Sequence, residues 1–401
     1  MIVPDGELIE GHRGPSRHIE ASRWWFWRSP AIRATLNPVT SPLRLVVCEG
    51  DETGQELLDQ ALRVLDPAVL GFECELIRFD LSLEKRRRTK NAVVQDAADA
   101  MRDCGLGLKA ATITPEGIGD VGSPNRILRE GIGGSVIVRT GRRIPGVSPL
   151  APVVHPIVVV RMAVGDAYGA EEGRTGTPGG SDERAWRTER IERRICREVS
   201  EFAFQTAEAR GACVYGGPKW TVSATYEGML KEEMDAAADR HPDVVYRPTL
   251  IDAAYAGLLT EAGHQSLVIP ALNRDGDCLS DLVLALFGSI AGAESVLLAL
   301  DDNLHPTVAM AEAPHGTAPS LAGKNVANPM AMLLACAAVL EHAAAARGDA
   351  AIARAAQAIR HATLGAAADG IRTFDLGGDT STSQVVDEVL RRLAAAINVA
   401  S

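Results

Sequence analysis

Between residues 273 and 281 the chain reads Asn-Arg-Asp-Gly-Asp-Cys-Leu-Ser-Asp, with carboxylates at Asp275, Asp277 and Asp281. Asp277 and Asp281 are four apart, so a helix starting near Asp277 places them on one face. Two carboxylates on one face make half of a site for a hard divalent cation, which takes oxygen ligands. The same spacing also describes a solvated acidic first turn, favoured by the helix dipole. An EF-hand loop is excluded, because the twelfth position from Asp275 is Leu286, which has no side-chain oxygen.

A second group of chemically capable residues runs from 123 to 161. Ser123 is placed to cap a helix with Pro124 in its first position, and Asn125 and Arg129 then share one side of it. Arg139 and Arg161 fall at or near the ends of the apolar runs 135–138 and 156–160. Taken singly, each arginine reads as a surface ion pair. Three of them beside a capped helix start suit a polycarboxylate. Further on, the turn Gly216-Gly217-Pro218 delivers Lys219, and Leu250-Ile251-Asp252 opens a helix with another aspartate. The loop Glu312–Pro319 could close over a nucleotide. By contrast Gly117–Gly122 matches G-x-G-x-x-G without the context of a dinucleotide fingerprint. Ser-Pro-Asn follows at once, and Arg139, Arg142 and Arg143 stand where an acidic residue belongs.

The elements that must position these groups alternate in type. Short strands are predicted at 43–48, 73–79, 107–113 and 244–247, and helices at 54–65, 91–102, 189–210 and 384–398. An Ala-rich helix is expected after Asn328-Pro329, and a flexible loop at 173–182. Strands alternating with helices indicate a sheet between helical layers. Residues 1–42 differ, with little periodicity and the cluster Trp24-Trp25-Phe26-Trp27, and read as an arm.

The net charge of −11 argues against nucleic acid or an anionic membrane as partner. Seven scattered cysteines without a C-x-x-C pair are no disulfide framework and point to a reducing cytoplasm. The apolar run Met330–Leu340 is short of the roughly 20 residues that span a bilayer. No apolar signal-peptide core is visible near Met1.

Together the motifs resemble the β-decarboxylating dehydrogenases, the isocitrate and 3-isopropylmalate dehydrogenase family, over about residues 43–393. The segments Lys109-Ala-Ala-Thr112-Ile-Thr114-Pro, Ser123-Pro-Asn125 with Arg129, Arg161-x3-Gly165-Asp166-x-Tyr168, Lys219-x-Thr221, Leu250-Ile-Asp252 and Asp275-Gly-Asp277-x3-Asp281 look like isocitrate dehydrogenase. His315-Gly316-Thr317-Ala318-Pro, running on to Asn328-Pro, is shared across the family. The resemblance implies an α/β fold. A large domain would comprise 43–132 and 288–401, a smaller one 133–165 and 214–287, and a dimer clasp 166–213, behind the N-terminal extension 1–42. It also implies a homodimer with sites shared between subunits.

In such a site Asp277 and Asp281 of one subunit and Asp252 of the other would hold Mg²⁺ or Mn²⁺. Thr114, Ser123, Asn125, Arg129, Arg139 and Arg161 would bind the substrate, with Arg142 as the alternative to Arg139. Lys109, Thr112, His315, Gly316, Thr317, Ala318 and Asn328 would serve the nucleotide. Lys219 would exchange a proton with the substrate alcohol, and Tyr168 would protonate the carbon left by CO₂. Isocitrate or a close analogue is the expected substrate, with an isopropylmalate, malate, tartrate or phosphono analogue as the alternative. A regulatory, non-catalytic subunit would be expected to lack one of the residues that remain here. Ser320-Leu321 supplies no cation for a 2′-phosphate, so NAD⁺ is expected over NADP⁺. Met162 and Trp220 depart from the family pattern and are expected at the wall of the site.

Overall fold

The computed structural model describes residues 42–116, 119–260 and 265–400. The tryptophans of the N-terminal arm, together with Gly117 and Ile118, lie outside the described residues. In chain order the first half contains β1 (Leu43–Glu49), α1 (Glu52–Leu62), α2 (Pro67–Leu70), β2 (Cys74–Asp80), α3 (Leu83–Thr89), α4 (Ala92–Cys104), β3 (Leu106–Lys109), α5 (Pro124–Gly131), β4 (Val136–Gly141) and β5 (Ile157–Met162). Then come β6 (Asp166–Thr175), β7 (Arg184–Arg190), α6 (Arg193–Arg210), β8 (Cys213–Gly216), α7 (Tyr226–Arg240), β9 (Tyr246–Pro248) and α8 (Ile251–Thr260). The rest is β10 (Leu267–Ala271), α9 (Asn273–Leu286), β11 (Ser295–Leu300), β12 (Pro306–Glu312), α10 (Met330–Arg347), α11 (Ala350–Ala368) and α12 (Thr382–Ala400).

Ten strands make one sheet in the order β2-β1-β3-β12-β11-β4-β5-β10-β8-β9, and β6 and β7 form a separate ribbon. Pairing is parallel in both outer parts and antiparallel through the middle, from β12 across β11 and β4 to β5. Helices cover both faces, so the inner strands are buried on both sides and read as apolar runs; every residue of β5 and β10 is buried. The α/β architecture expected from the alternating pattern is present.

Strand periodicity decides where two singled-out residues go. Val158, Val160 and Met162 enter one apolar core and Ile157 and Val159 another, on the opposite face. Arg161 therefore leaves the face that Met162 occupies. Met162 is fully buried in the core and does not line the site, contrary to expectation. Just past β4, Arg142 forms a buried pair with Glu294 from before β11, to which Arg360 of α11 adds a contact at 3.3 Å. Arg142 is thereby spent on joining helix to sheet.

Three further differences have local causes. The stretch expected as a flexible loop at 173–182 begins as strand, because Gly173–Thr175 pair with Arg184–Trp186 across the ribbon. Helix α9 begins at Asn273, not near Asp277, so Asp277 and Asp281 lie in its second and third turns while still sharing a face. The apolar run 330–340 belongs to an 18-residue helix that is long and apolar enough to cross a membrane, yet 72% of it is buried inside the protein against the sheet and α11.

Candidate active site

Arg161 lies at the end of β5, with its side chain 2% exposed. Its Nε and Nη2 donate to Asn273 Oδ1 at 3.0 and 2.8 Å, and its Nη1 donates to Asp277. Asn273 is the first residue of α9, so a single strand-end arginine fixes the start of the helix that bears both aspartates. Arg139 on the neighbouring strand β4 sends Nη1 to Ser280 Oγ at 2.9 Å, to Asp281 Oδ1 at 3.2 Å and to Asp277 Oδ1 at 3.5 Å. Between Arg139 and Arg142, then, it is Arg139 that reaches this cluster.

Tyr168, in β6, donates its hydroxyl to Asp277 Oδ2 at 2.7 Å, and the Arg161 guanidinium lies 5.3 Å from its ring centroid. Arg129 of α5 reaches in from another side, with Nη1 3.5 Å from Ala163 O. The electrostatics follow from this crowding. Burial, reinforced by Arg129, brings Arg161 down to about 10. Burial alone would raise Asp277, but Arg161, the Tyr168 hydroxyl and Arg139 outweigh it and hold the carboxyl below its ordinary value. Burial and the bond to Asp277 push Tyr168 up to about 12, so the phenol keeps its proton at neutral pH.

The other two residues expected to do chemistry are paired with each other. The Lys219 ammonium binds Asp252 Oδ2, and its backbone N–H donates to Glu227 in the second position of α7. Trp220 is half-buried, with the Lys231 ammonium 5.1 Å from its ring centroid. Among the described residues no group of three or more His, Cys, Asp or Glu side chains converges on a metal position. Within one chain, then, Asp252 does not join Asp277 and Asp281.

The metal fit can be judged from the two aspartates present. One atom, Arg139 Nη1, lies within 3.5 Å of an oxygen of each, so the two carboxylates converge on a point that already accommodates positive charge. They supply hard oxygen donors of the kind Mg²⁺ and Mn²⁺ take.

The residues expected at the nucleotide form a pinned loop. Thr53, near the start of α1, donates its N–H to Thr317 O at 3.1 Å and its hydroxyl to Ala318 O at 2.8 Å. His315 Nδ1 donates to Gly316 O at 3.0 Å, leaving Nε2 buried with no hydrogen-bond partner among the described residues. Burial pushes the His315 pKa down and keeps the ring neutral. Asn328 is occupied on both amide atoms, by Asp375 at 3.0 Å and by the N–H of Met330 at 3.0 Å, and so starts α10. Lys109 is 1% exposed and bonds Glu312 at 3.2 Å and Ala110 O at 3.0 Å. Its ammonium faces Glu312 rather than an open cleft. Thr112 and Thr114 follow β3 in the segment whose Ile113 N–H donates to Asp51 Oδ2 at 2.9 Å. Ser123 caps α5 through the N–H of Asn125 at 3.3 Å, and Asn125 Oδ1 is buried without a partner among the described residues.

Two supporting residues were given no role in the sequence reading. Fully buried Arg86 donates to the backbone carbonyls of Leu81, Ile113 and Gly122, and so braces the loop leading into α5. Asp166, at φ +59, accepts from the Arg274 N–H at 2.7 Å and from the Tyr226 hydroxyl at 2.9 Å. It ties the root of the ribbon to α9 and α7. The motif spacing around Tyr168 was the only signal for Asp166, and nothing in the sequence marks Arg86.

A profile of the isocitrate/isopropylmalate dehydrogenase family matches residues 44–389. The chain belongs to that family. It is 30% identical over 352 residues to a 3-isopropylmalate dehydrogenase from Methanothermobacter thermautotrophicus, covering 88% of this chain and 98% of the relative. It is 33% identical over 301 residues to an NADP isocitrate dehydrogenase from Thermus thermophilus, covering 74% of this chain and 58% of that protein. The crystal structure of isocitrate dehydrogenase from Methylococcus capsulatus superposes with a TM-score of 0.76 at 22% identity, over 87% of this chain and 99% of that one, and shares its fold. Isocitrate/isopropylmalate dehydrogenases are decarboxylating oxidoreductases that act on small polycarboxylates with a divalent metal and a nicotinamide cofactor, and this chain is an oxidoreductase of that kind.

Proposed function

We propose that the protein oxidatively decarboxylates isocitrate, or a close 2-hydroxy polycarboxylate analogue, with NAD⁺ and Mg²⁺ or Mn²⁺, in a cytoplasmic homodimer with shared sites. The observation that carries this reading is the division of the chemistry within one chain. Tyr168, three arginines and two aspartates stand in one cluster, and Lys219 and Asp252 in a separate pair. A second copy presenting its Lys219 and Asp252 to the first cluster would complete both the proton-transfer set and the carboxylate set.

In such a site Arg129, Arg139 and Arg161 neutralise and orient the substrate carboxylates; guanidinium forks suit that geometry. Ser123 and Asn125, a short hydroxyl–amide pair at a helix start, favour isocitrate, because the isopropylmalate branch calls for apolar side chains there. A cation held by Asp277, Asp281 and Asp252 of a second copy would act as a Lewis acid on the hydroxyl and its neighbouring carboxylate. Lys219 of that copy takes the hydroxyl proton, and Tyr168, kept protonated by burial and Asp277, returns one to carbon. The exposed Ser320 and Leu321 offer no cation to a 2′-phosphate, which supports NAD⁺.

Initial rates with isocitrate, 3-isopropylmalate, malate and tartrate, each with NAD⁺ and NADP⁺ and with Mg²⁺ or EDTA, test the proposal. Isocitrate should be preferred, with activity lost in EDTA. The second reading, a 3-isopropylmalate dehydrogenase, is favoured by the methanogen relative and would be established by preference for that substrate. Turnover by the protein alone eliminates a purely regulatory role.

A further inference from the structure

Lys219 stands at the head of a turn that packing does little to hold. Thr221, Val222, Ala224 and Thr225 in that turn are all exposed. Hydrogen bonds fix it instead. Lys219 O accepts from the N–H of Val222 at 3.0 Å and of Ser223 at 3.1 Å, and Ser223 O accepts from the N–H of Glu227 at 2.9 Å. The Glu227 carboxylate then reaches back and takes the N–H of Lys219. Both backbone polar groups of Lys219 are thereby engaged, and Glu227 closes the ring.

Glu227 is itself anchored. It is half-buried in the first turn of α7, where the preceding Tyr226 donates to Asp166 Oδ1 at 2.9 Å. Asp166 also accepts from the N–H of Arg274 at 2.7 Å, at the head of α9. Contacts therefore run from the root of the ribbon through the start of α7 to the base of Lys219. Burial raises the Glu227 carboxyl, the Lys219 N–H pulls it down, and nearby Asp275 and Asp166 raise it again.

We propose that Glu227 is a positioning residue for the reaction, setting where the Lys219 ammonium stands by holding the Lys219 backbone N–H. The inference rests on the proposed role of Lys219 as the group that exchanges a proton with the substrate alcohol. The ammonium sits on a flexible stem, so its base must be fixed before its tip can be placed. A misplacement of about 1 Å costs on the order of a hundredfold in rate. What the turn requires of Glu227 is an acceptor oxygen at this distance from α7.

The experiment measures kcat and KM, with the substrate the wild type prefers, for Glu227→Ala and Glu227→Gln, each alone and combined with Lys219→Met. Glu227→Ala should lower kcat about 10- to 100-fold with KM within about threefold, because arginines on other elements hold the substrate carboxylates. Glu227→Gln keeps an acceptor oxygen and should bring kcat back to within about fivefold of wild type. In the Lys219→Met background no ammonium is left to place, so Glu227→Ala should change the residual rate by less than about twofold. An equal fold loss in both backgrounds would mean that Glu227 acts through α9 or through folding, and would overturn the inference. Unchanged kcat in Glu227→Ala, or a glutamine variant as slow as the alanine one, would overturn it too. Glu227→Asp, with its carboxylate drawn back by one methylene, carries the same comparison if the alanine variant unfolds. Absence of all 2-hydroxy acid turnover by the wild type would defeat the proposed function instead. Hydrogen exchange at the Lys219 amide would then still decide whether Glu227 fixes the turn: it should be about tenfold or more faster in Glu227→Ala than in wild type, and an equal rate would overturn the inference.

Discussion

The division of the site between copies can be tested by mixing two dead enzymes. Tyr168→Phe removes the hydroxyl that lies 2.7 Å from Asp277 Oδ2, and Lys219→Met removes the ammonium bound to Asp252. Loss of a proton-transfer group lowers turnover by about 10²–10⁴, so each variant alone should be nearly silent. Both changes fall on partly exposed side chains and leave the buried arginine contacts in place. If Tyr168 of one subunit works with Lys219 of the other, a mixed dimer has one site with both groups intact and one with neither. Random reassortment of equal amounts makes about half the dimers mixed, each with half its sites active, so about a quarter of wild-type activity should return. The assay is the rate before and after mild dissociation and re-association of the mixture, with the singly mutated proteins treated in parallel. A mixture no more active than its components, in material shown by mass spectrometry to contain mixed dimers, would place both groups in a single-chain site and refute the reasoning.

Asp277→Asn should abolish metal-dependent activity and also cost about 1–3 kcal/mol in urea unfolding, because it weakens the partner of fully buried Arg161. Mn²⁺ at about 100 times its Kd should stabilise the wild type by about 2.7 kcal/mol, an increment the same variant should lose. With cofactors compared by kcat/KM, NAD⁺ should exceed NADP⁺ by about tenfold or more, the worth of a lost paired phosphate contact. Glu294→Gln should cost about 3–5 kcal/mol by removing the buried carboxylate that faces both Arg142 and Arg360. Burial would raise Glu294, but Arg142 and then Arg360 outweigh it and hold the carboxyl at about 2 against an ordinary 4.5. Its contribution is therefore present above about pH 4.5 and is lost as pH falls toward 2, so the stability gap between wild type and variant should close in that window.

Much of the site was legible because its chemistry depends on residue type at fixed spacing. The four-residue interval of Asp277 and Asp281 and the Ser123–Pro124 helix start carried into three dimensions. What failed was what tertiary packing decides. Arg139 and Arg142 are alike in sequence, and only the buried carboxylate of Glu294 separates their fates. Met162 looked like a wall residue because it adjoins Arg161, yet adjacency in a strand means opposite faces. The strands β11 and β12 and the helix α11 were not read at all. The apolar runs of that region fit strand or helix equally well until their partners are known.

The pairing of β3 with β12 joins Leu106 to Ala309 and Lys109 to Glu312 across about two hundred intervening residues. During synthesis, the outer edge of β3 must wait for about half the chain before its neighbour exists. Until β12 arrives, β2, β1 and β3 present an unpaired, apolar edge, the kind of surface on which nascent chains associate. Chains halted near residue 300 should accordingly be sticky fragments rather than folded intermediates, and the ribosome or a chaperone must shield that edge until the centre of the sheet closes.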